Sequence, residues 1–320
     1  MKKIVITGVA GFLGSHLAKD LLSKKNKVIG LDNFSTGKKQ NLSSFSSNTN
    51  FTLIEIDVSK EKVMDLEELN GIDEIYHLAS PASPAFYQKT PFDTIAVNTI
   101  GTKNMLDIAK RNNAKLVYLS TSEVYGDPEI HPQHEDYKGS VNTWGPRACY
   151  DEGKRLGEVF CYLYYQLFNL QVKVARIFNT YSAGLRNDDG RVISNFITQA
   201  LKGENITVYG DGTQTRSFCY VDDTIEALTL MMKNDKANGE IINIGNSEEI
   251  SVINLATLIQ KLTNSSSLIT FHPLPKDDPK QRCPNTNKAK QILGWEPKIN
   301  LQEGLLRTIK EYRIKLGYVG

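Results

Sequence analysis

The segment that most constrains this chain lies at its start. Residues 3–7 (KIVIT) form a short apolar run rich in β-branched side chains, and G-V-A-G-F-L-G follows at once, with Gly8, Gly11 and Gly14. His16, Leu17, Leu21 and Leu22 then recur at helical spacing, and a second apolar run, residues 27–31, ends at Asp32. Strand, glycine turn, helix, strand and acid in that order read as a βαβ unit that holds a dinucleotide. Gly8 permits the tight turn out of the strand, Gly11 lets the backbone approach a pyrophosphate, and Gly14 lets helix and strand pack closely. The phosphates then sit on the helix N-terminus, where free N–H groups and the helix dipole favour negative charge. Asp32 falls where a carboxylate accepts bonds from an adenosine ribose diol. It would repel a 2′-phosphate, so the pattern favours NAD over NADP.

The rest of the chain continues in the same style. Residues 51–56 lead to Asp57, residues 74–78 to Ala79 and Ser80, and residues 115–119 to Ser120, Thr121, Ser122 and Glu123. This spacing predicts an α/β fold, a doubly wound parallel (Rossmann) sheet. Ligands in such sheets bind outside the carboxyl ends of the strands, so the polar residues there are the candidates for chemistry. Composition agrees. At 320 residues and 40% hydrophobic, the chain can bury a sizeable core. A net charge of +2, with no basic block, gives no sign of nucleic-acid binding. The longest apolar runs are too short for a membrane span. The run after Lys2 and Lys3 stops at Gly8, too soon for a secretory segment. Cys149, Cys161, Cys219 and Cys283 make no C-x-x-C pair, and no His/Cys cluster has zinc-ligand spacing, so reduced thiols in a cytoplasmic protein are expected.

Tyr150 and Lys154 are four residues apart at the start of a helical pattern continued by Leu156, Val159, Phe160 and Leu163. That spacing puts both on one face. A lysine cation beside a phenol favours phenolate and is expected to pull the tyrosine pKa toward working pH. A hydroxyl from Ser120 or Thr121 would orient a substrate alcohol. Tyrosine would take the alcohol proton while a nicotinamide takes the hydride. Glu123, three residues past the strand, would relay a proton to or from a sugar carbon or a water.

At this point longer strings become informative. H-L-A-S-P-A-S-P (77–84), S-T-S-E-V-Y-G-D-P (120–128), G-P-R-A-C-Y-D-E-G-K-R (145–155), A-R-I-F-N-T-Y (175–181), D-G-R-V-I-S-N-F (189–196), V-Y-G-D-G-T-Q-T-R-S-F (208–218) and L-G-W-E-P (293–297) resemble the UDP-glucuronate decarboxylase (UDP-xylose synthase) family. The G-x-x-G-x-x-G spacing resembles its parent group, the extended short-chain dehydrogenases. The resemblance covers nearly the whole chain. It implies that Thr121 positions a sugar 4-hydroxyl and that Tyr150, helped by Lys154, removes its proton. Glu123 and Arg282 are implied to assist loss of CO2 from the resulting β-keto acid and reprotonation of C5. No metal is implied in the reaction. The implied NAD contacts are Gly8, Gly11, Phe12, Leu13, Gly14, Asp32, Asn33, Phe34, Thr36, Gly37, Asp57, Val58, Leu78, Ala79, Ser80, Asn98, Tyr150, Lys154 and Phe178. The implied UDP-sugar contacts are Pro81, Ser122, Asn179, Arg191, Val192, Tyr209, Gln214, Arg216 and Arg282. Arginines suit a diphosphate because the guanidinium fork bonds it bidentately.

The sequence departs from the family at two places. Ala96 stands where relatives have lysine, and Tyr181-Ser182-Ala183-Gly184 replaces Y-G-P-R, with Arg186 displaced. These bear on the identity of the sugar. They keep open another NAD-dependent nucleotide-sugar enzyme: a 4-epimerase, a 4,6-dehydratase or a decarboxylase of a different nucleotide uronic acid. Glu123 argues against epimerases, and Ser122, in place of the Asp of a T-D-E motif, argues against dehydratases. Intact Thr121, Tyr150 and Lys154 argue against a non-enzymatic NAD-binding protein. Two parts are expected: residues 1–180 plus 214–245 for NAD, and 181–213 plus 246–320 for the sugar nucleotide. The resemblance also implies a homodimer packed through helices near 91–111 and 149–168. Leu156, Val159, Leu163 and Leu167 on the second suit that role or burial against the subunit's own sheet.

Overall fold

The computed structural model describes residues 1–186, 190–274 and 281–318. Asp189, which opens the fifth of the strings above, lies outside them.

The first βαβ unit forms as its pattern requires. Strand β1 (Lys3–Thr7) is buried along nearly its whole length, helix α1 (Phe12–Ser23) buries Leu17, Ala18, Leu21 and Leu22, and β2 (Lys27–Asp32) runs parallel to β1 with Val5 opposite Ile29. Strands β3 (Phe51–Glu55), β4 (Glu74–His77), β5 (Lys115–Thr121) and β6 (Val172–Ile177) follow. The sheet is seven-stranded and parallel throughout, in the order Ile241–Ile244, β6, β5, β4, β1, β2, β3. Such a sheet is covered by helices on both faces, which is why its strands read as continuous apolar runs. The chain order reverses between β1 and β4. A crevice therefore opens at the carboxyl ends of those strands, the usual ligand position of doubly wound folds.

A second layer lies over that crevice. Helices Val192–Lys202 and Val252–Thr263 pack together beside a parallel pair, Ile206–Tyr209 with Ile269–His272. A three-stranded sheet joins Glu249–Ser251, Thr215–Ser217 and Gln281–Arg282. Residues 214–245 return to the main sheet later than their pattern suggests. Thr215–Ser217 pairs within the small sheet, and the chain rejoins the large layer through helix Val221–Lys233 and strand Ile241–Ile244.

Two long helical segments shape the site from behind. Pro91–Ala96 passes through a π-helical turn, Val97–Gly101, into Thr102–Asn112. Such turns concentrate at functional sites because they re-aim a side chain. Asn98 sits in this one. The helix Ala148–Phe168 buries Tyr150, Asp151 and Lys154 in its first turns, yet leaves Leu156, Val159, Leu163 and Leu167 exposed at 39–69%. Burial against the subunit's own sheet is thus not what keeps this stripe apolar.

Candidate active site

The strand ends and the second layer enclose a cleft of about 850 Å³. All but two of the catalytic, NAD and UDP-sugar residues named above line it; the exceptions are Phe34 and Asn98. The backbone nitrogen of Phe34 donates to Asp32, which brings Phe34 into the left-handed region at φ +54°, and its ring lies under the Lys39 ammonium. Asn98 is wholly buried behind the wall. Its amide nitrogen donates to the Thr94 carbonyl, and its amide oxygen has no hydrogen-bond partner.

One end of the cleft is built from backbone. Gly8 takes φ +70° and a Cβ there would stand 2.9 Å from the Ala79 Cα, so only glycine lets β1 turn this close to the end of β4. A Cβ on Gly14 would run into the Gly8 carbonyl oxygen, which sets how close α1 approaches the turn. Gly11, the N-cap of α1, offers no side-chain cap, so first-turn N–H groups face the cleft. Asp32 stands beside them, 7% exposed, and accepts from the Ala10 and Phe34 nitrogens at 2.8 Å each. Burial raises its carboxyl above the usual value against those two bonds. A carboxylate oxygen that accepts one N–H retains a lone pair for a ribose hydroxyl. The donor set therefore fits a dinucleotide.

The other end is built from side chains. Thr121 closes β5, and its hydroxyl accepts from the Glu123 nitrogen at 3.2 Å and hydrogen-bonds Tyr150. Of the two candidate hydroxyls only Thr121 engages the tyrosine; Ser120 donates to the Glu158 carboxylate at 2.5 Å, which Arg176 also holds. Glu123 is gripped by two guanidiniums, Arg147 on one carboxylate oxygen and Arg282 on the other. Burial raises its pKa, but the two arginines together outweigh that and hold the carboxyl far below its usual range. Asp151 lies within their field. Burial, then the Glu123 charge, push it well above the usual carboxylate range, against Arg147 and Arg282. One buried carboxylate, Glu123, thus bridges two guanidiniums, with Asp151 beside them.

The tyrosine–lysine pair differs from expectation. Tyr150 and Lys154 are both on the cleft wall, 4% and 3% exposed. Burial pushes the phenol up rather than down; the Thr121 hydrogen bond and Arg191 only partly offset it. Burial also lowers Lys154, to about 7, because its charge has no carboxylate partner and its amine donates to the Leu119 carbonyl at 2.7 Å. Desolvation, invisible in a spacing, outweighs the attraction of the pair.

Three neighbours escaped the sequence reading. Arg147 lies inside a quoted string but carries no local sign that it reaches back to Glu123. Tyr87 stacks on Tyr150, ring centroids 5.0 Å apart and planes 5° off parallel. Asp151 follows the tyrosine and turns inward. Of the two departures from the family pattern, Ala96 does not reach the cleft, whereas Gly184, Leu185 and Arg186 line it, and Arg186 stacks on Phe86.

Comparison with known proteins follows this geometry. The model of the NAD dependent epimerase/dehydratase family matches residues 4–245, and the chain belongs to that family. Within it, the chain is 50% identical to UDP-glucuronic acid decarboxylase 1 of Danio rerio, over 98% of this chain and 73% of that protein. It is 48% identical to UDP-glucuronic acid decarboxylase 5 of Arabidopsis thaliana, over 98% and 90%. Among solved structures, UDP-glucuronic acid 4-epimerase from Bacillus cereus, in complex with UDP-glucuronic acid and NAD, superposes with a TM-score of 0.88 at 31% identity, over 98% of this chain and 99% of that one.

Proposed function

We propose that this protein is an NAD-dependent decarboxylase that converts UDP-glucuronate to UDP-xylose, working in the cleft just described. The observation that carries the reading is the Arg147–Glu123–Arg282 cluster beside Thr121 and Tyr150. Two guanidiniums at the sugar end can also bond an incoming anion, and a sugar with a C6 carboxylate brings one. The decarboxylase relatives support the choice of substrate.

The α1 N-terminus would hold the NAD pyrophosphate and Asp32 its ribose diol. When bound, NAD serves as hydride acceptor and donor for the sugar C4. Thr121 orients the 4-hydroxyl, and Tyr150 takes its proton. A ketone at C4 is β to the C6 carboxylate, so the C5–C6 bond can break with its electrons flowing into the carbonyl as CO2 leaves. Arg282 and Arg147 hold the carboxylate end. A substrate carboxylate that competes for one guanidinium loosens its hold on Glu123, and Glu123 then regains the basicity needed to manage the C5 proton. Tyr150 returns its proton as C4 is reduced. Pro81, Ser122, Asn179, Arg191, Val192, Tyr209, Gln214 and Arg216 hold the UDP-sugar. We assign residues 181–213 plus 246–320, extended by Thr215–Ser217, to sugar-nucleotide binding and the rest to NAD.

A second reading, a 4-epimerase acting on the same uronic acid, is favoured by the likeness to the Bacillus cereus structure and by the altered loop at 182–186. A proton NMR time course with NAD and UDP-glucuronate separates the two. UDP-xylose signals without net NADH support the decarboxylase; UDP-galacturonate in their place supports the epimerase.

The exposed stripe Leu156, Val159, Leu163 and Leu167, together with Phe92 (84% exposed), Ile95 and Ile100, is too apolar to face water and suits an isologous homodimer. Among the described residues no helix is long and apolar enough to cross a membrane. The four cysteines are free thiols, which fits a reducing compartment, the cytoplasm.

A further inference from the structure

We infer a second site: His131, Glu249 and Cys283 form a binding site for a zinc-class divalent cation. Their ligand atoms, one ring nitrogen, one carboxylate oxygen and one thiol sulfur, all lie within 4.8 Å of one another. The His131 Nε2 and a Glu249 carboxylate oxygen are already 2.8 Å apart. A tetrahedral ion bonds nitrogen and oxygen at roughly 2.0–2.2 Å and sulfur at about 2.3 Å, so it fits between these atoms after shifts of the order of an ångström.

The frame around the site is firm. Gln133, fully buried, ties the two flanking segments together: its side-chain oxygen accepts from the Cys283 nitrogen at 2.9 Å, and its backbone nitrogen donates to the Cys283 carbonyl at 2.9 Å. The second Glu249 oxygen accepts from the Thr215 hydroxyl at 2.6 Å, which orients the carboxylate as outer-shell partners do at metal sites. His131 and Glu249 keep 33% and 27% of their side chains exposed, so an ion can enter and hold a water in the fourth position.

The donor set decides the class of ion. Thiolate with imidazole and one carboxylate selects zinc-like cations over magnesium or calcium, which take oxygen ligands. Binding releases the thiol proton, so it strengthens as pH rises. The three ligands come from chain segments 131, 249 and 283, which is why no local spacing betrays them. Cys283 directly follows Arg282, whose guanidinium holds Glu123, so an occupied site pins the strand that carries Arg282.

The test is titration of the purified, metal-stripped full chain with Co2+, read as the sulfur-to-cobalt charge-transfer absorption. A band that saturates at a single equivalent, persists in Cys149→Ser and disappears in Cys283→Ser is the expected result. His131→Ala should weaken Co2+ binding tenfold or more. Glu249→Gln keeps hydrogen bonds to His131 and Thr215 while removing the anionic ligand, and it should weaken binding as well without unfolding. No band in the unmodified protein, or a band that survives Cys283→Ser, overturns the site.

Discussion

The two ends of the cleft are made differently. At the NAD end the recognition groups are backbone atoms and one carboxylate, delivered by one continuous stretch from Gly8 to Asp32. At the sugar end they are side chains drawn from Thr121, Glu123, Arg147, Tyr150 and Arg282, and one ion pair joins residues 159 apart. A backbone site depends on glycines at fixed offsets, so it is written locally. A side-chain site depends on juxtaposition, so its charge state belongs to the cluster. Glu123, Asp151, Tyr150 and Lys154 all depart from their ordinary pKa values. In the Gly8–Asp32 stretch burial lowers His16 and raises Asp32, and backbone bonds oppose both shifts.

If the ends are separable, each variant should move one and spare the other. The largest effect belongs to Tyr150, where they meet. Tyr150→Phe should lower kcat by ~10²–10⁴-fold, the range for lost general acid–base catalysis, while NAD affinity by calorimetry stays within about twofold. Arg282→Ala leaves Glu123 with one guanidinium. Losing a charged hydrogen bond to the substrate carboxylate costs about 1.5–3 kcal/mol, so kcat/KM for UDP-glucuronate should fall ~10–10²-fold while UDP affinity holds. An equal loss of UDP affinity would break the comparison. Asp32→Asn should weaken NAD by about tenfold, a lost charged hydrogen bond, and narrow the preference over NADP, with the Kd for UDP unchanged.

A further effect is on stability. Unfolded, Lys154 keeps its proton up to about pH 10.5; folded, only to about 7. Between these limits the unfolded state binds more protons, so the group makes stability rise with pH, by up to ~1.4 kcal/mol per unit. Below about 7 both states hold the proton and the slope vanishes. Lys154→Met should remove this component from urea midpoints measured between about pH 7 and 9.5. Parallel profiles for the two proteins would show that the lysine is not desolvated.

The same contrast explains what could be read from sequence. The order of strands, the glycine turn, Asp32 and the polar residues at strand ends all follow from local pattern. Arg147 was visible only as a letter in a string, because nothing near it shows a reach of 24 residues to Glu123. Tyr87 gave no sign that it would stack on Tyr150. The tyrosine pKa went the other way because spacing reports proximity and says nothing about burial. Phe34 and Asn98 lie in the right segments but point away, one by a left-handed backbone turn and one inside a π-helical turn. The apolar face of helix Ala148–Phe168 reads equally as core or interface until its exposure is known.

The central claim is that one cleft oxidises C4, releases CO2 and reduces C4 again before the sugar leaves. UDP-glucuronate deuterated at C4 and turned over with unlabelled NAD tests it most directly. UDP-xylose that keeps the deuterium at C4, with one CO2 released per sugar and no NADH in solution, is the expected result. Product that carries hydrogen at C4, or turnover with no CO2, would contradict the account.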